Sequence, residues 1–169
     1  MAMPRKLKNQ NLFNDGVTYI GQVGEVTLPK LVRKFEDWRG GGMDAPIKVD
    51  LGQEGLEMET TCGGFMRDVF GQFAIARHNG VMLRYAGAYQ RDDSGEVDAV
   101  EVVVRGRHEE IDPGKGKAGD DTEFKFKTAC SYYKLSINGA VLVEIDVENM
   151  ICIVNGVDRL ADQRRAIGA

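Results

Sequence analysis

The chain has 169 residues, with 22 Lys and Arg against 26 Asp and Glu for a net charge of −4, and 21 Gly beside only four Pro. That length is enough for one domain with a sizeable core and too short for two of ordinary size. No signal-peptide core and no membrane-spanning run is present, and Cys62, Cys130 and Cys152 form no Cys-x-x-Cys pair. A soluble chain with buried free thiols, made in a reducing cytoplasm, is expected.

Short runs of Val, Ile, Phe and Tyr between Gly-containing turns predict a mostly antiparallel β domain with helix as the minority element. Residues 1–16 read as a basic arm ending in the turn Asn14-Asp15-Gly16, with Leu12 and Phe13 as its apolar anchors. Such an arm is ordered only against a neighbour. A strand over Val17 to Leu28, interrupted by Gly21 and Gly24, leads through Pro29 to another over Leu31 to Trp38. This second strand has apolar groups at both parities, which predicts that one of its faces meets another chain. Arg39 to Pro46, RGGGMDAP, is a loop that stays mobile unless something holds it.

Ile47 to Cys62 alternates as two strands or one bent ribbon broken at Gly52 to Gly55. Phe65, Val69, Phe70, Phe73 and Ala74 then follow helical spacing. A helix over Phe65 to His78 is expected, with Asp68 in its first turn, Arg77 and His78 in its last, and Asn79-Gly80 as its stop. Val81 to Arg91 and Val97 to Arg107 read as a hairpin turning at Asp93-Ser94-Gly95. Asp112 to Asp121 is a loop, Asn155-Gly156 a turn, and Val157 to Ile167 a short helix.

The longest alternating stretch, Thr122 to Glu148, reads as a β-hairpin turning at Ile137-Asn138-Gly139. Its apolar residues change parity between Tyr132 and Tyr133, so a β-bulge is expected there. A two-residue Asn-Gly loop would set Lys134 beside Val143 and mix the faces. A three-residue loop, pairing Leu135 with Val141, Tyr133 with Val143, Cys130 with Ile145 and Thr128 with Val147, keeps one face apolar and is the favoured register. The other face then carries Lys127, Ser131, Glu144 and Asp146.

Charge is unevenly placed: Arg91 to Glu123 holds eleven acids against five bases, whereas Arg5, Lys6 and Lys8 make the start basic. An acidic sector opposes stable nucleic-acid binding, which needs several cationic contacts to phosphate. No catalytic constellation emerges. His78 and His108 share no motif with a nucleophile, and Gly114 to Gly119 is followed by Asp120-Asp121 where a phosphate loop needs Lys and Ser or Thr. Asp112, Asp120 and Asp121 lack calcium-loop spacing. Neither enzyme activity, nor a catalytic residue, a metal or a cofactor is expected. Over-long hairpins, an apolar strand with two dry faces and a Gly-rich loop are instead features of a self-assembling subunit. The competing reading of the same features is a soluble ligand-binding β-barrel.

The stretches MPRKLKNQNLFNDG, TLPKLVRKFEDWRGGGMDAPIKVDLG, YQRDDSGEVDAVEVVVRGRHEEIDPGKGKAG, YYKLSINGAVLVEID and VNGVDRL strongly resemble the major tail tube proteins of contractile-tailed bacteriophages. The resemblance implies a mainly β fold: a single tail-tube domain over residues 1–169, with an arm at 1–16 and a tail at 154–169. It would be an antiparallel β-barrel or sandwich with one flanking α-helix and long hairpins that complete a ring-shaped barrel on oligomerisation. It also implies hexameric rings that stack into an inner tube, driven through the host envelope by sheath contraction and conducting DNA. The partners so implied are further copies of the chain, the tail sheath protein, baseplate or initiator and terminator proteins, and a tape measure protein and DNA inside the bore. DNA would be conducted without specific binding and no membrane anchor would be needed; the location would be the virion tail, after assembly in the host cytoplasm. Tube proteins of contractile bacteriocins and type VI secretion systems look similar. As lumen-facing acids the expected residues are Glu144, Asp146, Asp98 and Glu101. As contacts between subunits or rings they are Arg5, Lys6, Phe13, Trp38, Arg39, Gly40, Gly41, Gly42, Met43 and Asp44.

Overall fold

A computed structural model describes all 169 residues. The chain runs β1 (Lys6–Asn14), β2 (Val17–Thr18), β3 (Val23–Thr27), β4 (Arg33–Trp38), β5 (Ile47–Gln53), β6 (Leu56–Cys62) and a short helix α1 (Arg67–Gly71). It continues through β7 (Val81–Gln90), β8 (Val97–Asp112), β9 (Phe124–Ile137), β10 (Ala140–Asp146), β11 (Ile151–Val154), β12 (Val157–Asp158) and α2 (Ala161–Ala166). All the strand pairings are antiparallel, and the main sheet follows the path β12-β11-β10-β9-β8-β7-β1-β2, whose two ends do not pair with each other.

Strand β9 organises this sheet. On one side it pairs with β8 along nearly its whole length. On the other, Phe124 to Cys130 pair with β6, which carries β3 beyond it, and Tyr132 to Ile137 pair with β10. The parity switch read from the sequence lies one residue earlier than expected, at Ser131. There Arg105 faces Tyr132, but the next residue, Gly106, faces Cys130. The bulge lets Phe124, Phe126 and Thr128 on the first half and Tyr133 on the second all point into the same core. Close approach at this place requires Gly106, because a Cβ there would collide with the Ala129 carbonyl oxygen.

The hairpin register differs from the favoured one. Ile137 pairs with Ala140, so the loop is the two-residue Asn138-Gly139, with φ of 52° and 83°. Mixing of the faces is avoided by a second irregularity, between Val141 and Val143, which leaves Leu142 as the extra residue. Leu135 then faces Val143 and Tyr133 faces Ile145. Thr128 and Cys130 pair with Met58 and Leu56 of β6, not with β10.

Three further expectations are corrected. The helix expected over Phe65 to His78 shrinks to Arg67–Gly71, because Ala74 takes φ 62° and the Gln72 side chain is engaged with the sheet. Strand β8 runs five residues past Arg107, paired with the first half of β9. The last helix begins at Ala161, since Val157–Asp158 belongs to a hairpin turning at Asn155-Gly156. The arm forms β1, paired with β7 of its own chain.

The core lies between the apolar face of the β7–β10 sheet, the β3–β6 pair and α1. Phe124, Phe126, Tyr85, Leu83 and Met58 are fully or almost fully buried there, and each such side chain contributes about 1.5–3 kcal/mol of burial. The long hairpin's apolar face is therefore filled by side chains and encloses no ligand cavity. Burial raises the Cys62 thiol to about 11 and the Cys130 thiol to about 12, and all three cysteines are free.

Candidate assembly surfaces

The face of the sheet opposite the core is wet. Register places Glu144 beside Lys134, Lys134 beside Val103, Val103 beside Arg84, and Arg84 beside Phe13, so these share one face across five strands. Asp146, Tyr132 and Arg105 form the next row of that face, and Glu101 lies in a row with Ser136 and Ala86. Glu101, Glu144 and Asp146 are thus brought together on one face. Asp98, three residues before Glu101 on an alternating strand, points to the other side, where it accepts from Asn138 at 2.9 Å and pairs with Arg5 at 2.8 Å.

The three carboxylates are interleaved with three cations. Arg84 meets Glu101 at 3.1 Å and lies over the Phe13 ring, 4.2 Å from its centre, so the guanidinium is held from two sides. Burial, and then the neighbouring Glu144 carboxylate, raise the Tyr132 phenol above its ordinary value. The face carries close to no net charge in this region.

The basic start and the Asp92 to Asp98 end of the acidic sector, far apart in sequence, pair with each other. Arg5 reaches Glu96 at 3.0 Å as well as Asp98, Lys8 reaches Asp92 at 2.8 Å, and the Met3 backbone N–H donates to Asp93 at 3.1 Å. Hydrogen bonds from Arg91 hold the Asp93 carboxyl well below the usual carboxylate range. Each exposed pair is worth at most about 1 kcal/mol, but together they fix the start of β1 on the β7–β8 turn. Lys6 lies on the same stretch, opposite Gln90. Beyond the two pairs that Phe13 and Asn14 make with β2, β1 has no second strand neighbour and remains an open edge.

Of the expected contact residues, Trp38 to Asp44 gather in one place, at the tip of the β4–β5 hairpin. Its strands pair only with each other. Trp38 faces Ile47 and Glu36 faces Val49, so Trp38, Ile47, Val49 and Leu51 share one face, and all are exposed. Arg33 grips Asp50 at 2.9 Å near the base, and Glu54 N–H donates to the Val32 carbonyl at 2.9 Å. The glycine loop is held by the chain itself: Arg39 Nε donates to the Met43 carbonyl at 3.1 Å, Met43 N–H donates to the Gly40 carbonyl at 3.2 Å, and Gly42 takes φ 82°. Phe13 lies far along the chain from this tip, half-buried under Arg84.

A second apolar surface escaped the sequence reading. Phe65, Phe70 and Phe73 are exposed around α1, while Val69 and Met66 turn inward. The Phe70 ring rests 5.3 Å from that of buried Phe124, and Phe65 lies 5.9 Å from both.

Residues 4–168 match the model of the family described as phage tail tube protein FII. The chain belongs to the phage tail tube protein FII family. Among curated relatives it is 53% identical over 171 aligned residues to the tail tube protein of Escherichia phage P2, covering 99% of each chain. It is 38% identical over 165 to the major tail tube protein of Serratia phage KSP20, covering 96% of this chain and 95% of that one. Among solved structures it is similar to the sheath/tube terminator of an extracellular contractile injection system, PVC, with TM-score 0.59, 9% identity, and 76% and 93% of the two chains covered. It is likewise similar to the sheath-tube complex of that system, with TM-score 0.58, 9% identity, and 76% and 88% covered. At such identity these structures speak for the fold alone. The open-ended antiparallel sheet described above is therefore the form this tail tube family member takes.

Proposed function

We propose that this tail tube protein is the structural subunit of the inner tube of a contractile phage tail, its copies closing into hexameric rings that stack beneath a sheath. The observation that carries this reading is the β4–β5 hairpin, a two-stranded element with an exposed apolar face and no sheet partner in its own chain. Such a hairpin is marginal in water alone and gains its stability from a surface that covers it. The open β1 edge supports ring closure, since a sheet bent into a ring leaves no unpaired edge. Identity to phage proteins, far above that to the injection-system structures, favours a phage tail over a bacteriocin or secretion device.

In this reading the wet face of the β7–β10 sheet lines the bore, with Glu101, Glu144 and Asp146 as its carboxylates. Asp98, on the opposite face, belongs to the wall. A conduit for DNA must not retain it, and each phosphate neutralised by a cation adds affinity through counterion release. Interleaved acids answer Arg84, Arg105 and Lys134, so the bore wall offers no net positive charge. The role is mechanical and electrostatic and involves no catalysis or cofactor. Sheath, terminator, baseplate and tape measure proteins are the partners such a tube requires. Trp38 to Asp44 make contacts between rings, and Arg5 and Lys6 brace the β1 edge.

Negative-stain microscopy across a concentration series tests the reading. Rings and hollow stacked tubes are expected from the intact chain, and folded but dispersed protomers from the variant lacking Gly40 to Gly42. Monomers from the intact chain at every concentration, even with a tail initiator complex added, would refute it. Tubes from the deletion variant would remove the hairpin tip from the ring contacts.

A further inference from the structure

The chain carries two exposed apolar surfaces on different elements, and neither is covered within the protomer. One is the β4–β5 hairpin face, where Trp38 is 62% and Ile47 58% exposed. The other surrounds α1. Phe65 is 65% and Phe73 59% exposed, yet the patch is anchored from below, because Phe70 and Phe65 both pack on the fully buried Phe124 ring. Aromatic rings fixed from one side and open on the other bind with little loss of rotamer freedom.

Charge agrees with apolarity. Arg67, beside the phenylalanines, is exposed and makes no ion pair in the protomer. Glu36 lies on the hairpin's apolar face next to Val49, and its one ionic neighbour is Lys34 at 4.0 Å, toward the hairpin base. The two surfaces differ in the sign of the charge beside them, Glu36 on one and Arg67 on the other, so each complements the other better than it complements a copy of itself. A contact between two different patches of one chain is head-to-tail, and repetition of it generates a closed ring or a stack.

We propose that the apolar face of the β4–β5 hairpin of one copy docks on the Phe65, Phe70 and Phe73 platform of a neighbouring copy, with Glu36 meeting Arg67. This rests on the tube reading and names the acceptor surface it leaves open. Trp38 seats between the exposed rings, and the hairpin acquires the covering layer it lacks in the protomer.

The test uses tubes assembled from the full chain without sheath, carrying Trp38→p-benzoylphenylalanine, or Ile47→p-benzoylphenylalanine where the first does not assemble. Labelled and unlabelled copies are mixed, irradiated and digested. The expected dominant product joins the probe to residues 65–73 of another copy. A probe joined elsewhere on the neighbour, or joined only when sheath protein is added, would overturn the acceptor while leaving the tube reading intact. Failure of the unmodified chain to form tubes would instead strike that reading itself. A Phe73→Ser, Arg67→Glu variant, which spares the packing of Phe65 and Phe70 on Phe124, should keep the protomer's circular dichroism and lose tubes. Tubes formed as readily as by the unmodified chain would overturn the proposal.

Discussion

The His108 imidazole and the Gln72 amide share a 2.9 Å hydrogen bond that joins strand β8 to the residue ending α1. Gln72 donates to the acceptor-only Asp15 carboxylate at 2.7 Å and to Asn14 Oδ1 at 2.8 Å, so its Oε1 must accept from His108. His108 is then protonated on Nε2, and its Nδ1 accepts from the Thr128 hydroxyl at 3.0 Å. Asn14 donates onward to Tyr19, which donates to Asp68 at 2.8 Å. Through this chain the segment that carries the phenylalanine platform is latched to β1, β8 and β9.

Replacing Gln72 with Leu leaves His108 and Asn14 each short of a partner. Because an unsatisfied buried polar group costs about 1–3 kcal/mol, Gln72→Leu should lower the urea midpoint of the protomer by that order. The loss should be largest, by hydrogen exchange, in residues 65–80.

Burial lowers the His108 pKa from an ordinary 6.5 to about 4, so the folded protein keeps the ring neutral where the unfolded chain protonates it. Between those values the unfolded state binds more protons, and stability falls as pH falls. The contribution is complete above about pH 6.5 and on the order of 3 kcal/mol is lost by about pH 4. A His108→Gln variant should flatten that slope in chemical denaturation across pH 4–7; an unchanged slope would assign the effect to other groups.

Gly106 lies where β8 and β9 change register, and a Cβ there would run into backbone that cannot turn aside. Gly106→Ala should destabilise by more than about 3 kcal/mol and yield mostly insoluble protein. Gly41→Ala, a Cβ placed in open space at the hairpin tip, should leave the melting temperature within a degree or two of the parent, by about the ordinary scatter of surface changes.

Reversing two carboxylates of the wet face, Glu101→Lys with Glu144→Lys, frees Arg84, removes the carboxylate beside Lys134 and makes that face positive. Tubes of this variant should retain DNA in a gel-shift assay at low salt and release it as salt rises, while parent tubes retain none.

Most strands were legible because alternation marks them, and the hairpins of β7–β8 and β9–β10 follow from Gly-containing turns. Register was not, because parity alone cannot say which strand bulges. Leu142, as the extra residue on the return strand, restores the apolar face that a three-residue loop would also keep. Spacing alone overextends the helix, since Phe65, Phe70 and Phe73 have the spacing of a buried stripe, yet the platform they form is exposed. The exposed apolar side chains of β4 are legible from its two-sided pattern, but its pairing with β5 alone is not, and counting along one strand separates Asp98 from Glu101. The Gln72 latch had no local signal, as its members are spread from Asn14 to Thr128 and meet only through tertiary packing.

A cryo-electron reconstruction of tubes assembled from the intact chain tests the central claim most directly. The account predicts Glu101, Glu144 and Asp146 on the bore wall, Asp98 within the wall, and the β4–β5 hairpin buried between copies. Carboxylates of the β7–β10 wet face on the outer surface of the tube, with the α1 side facing the bore, would contradict it.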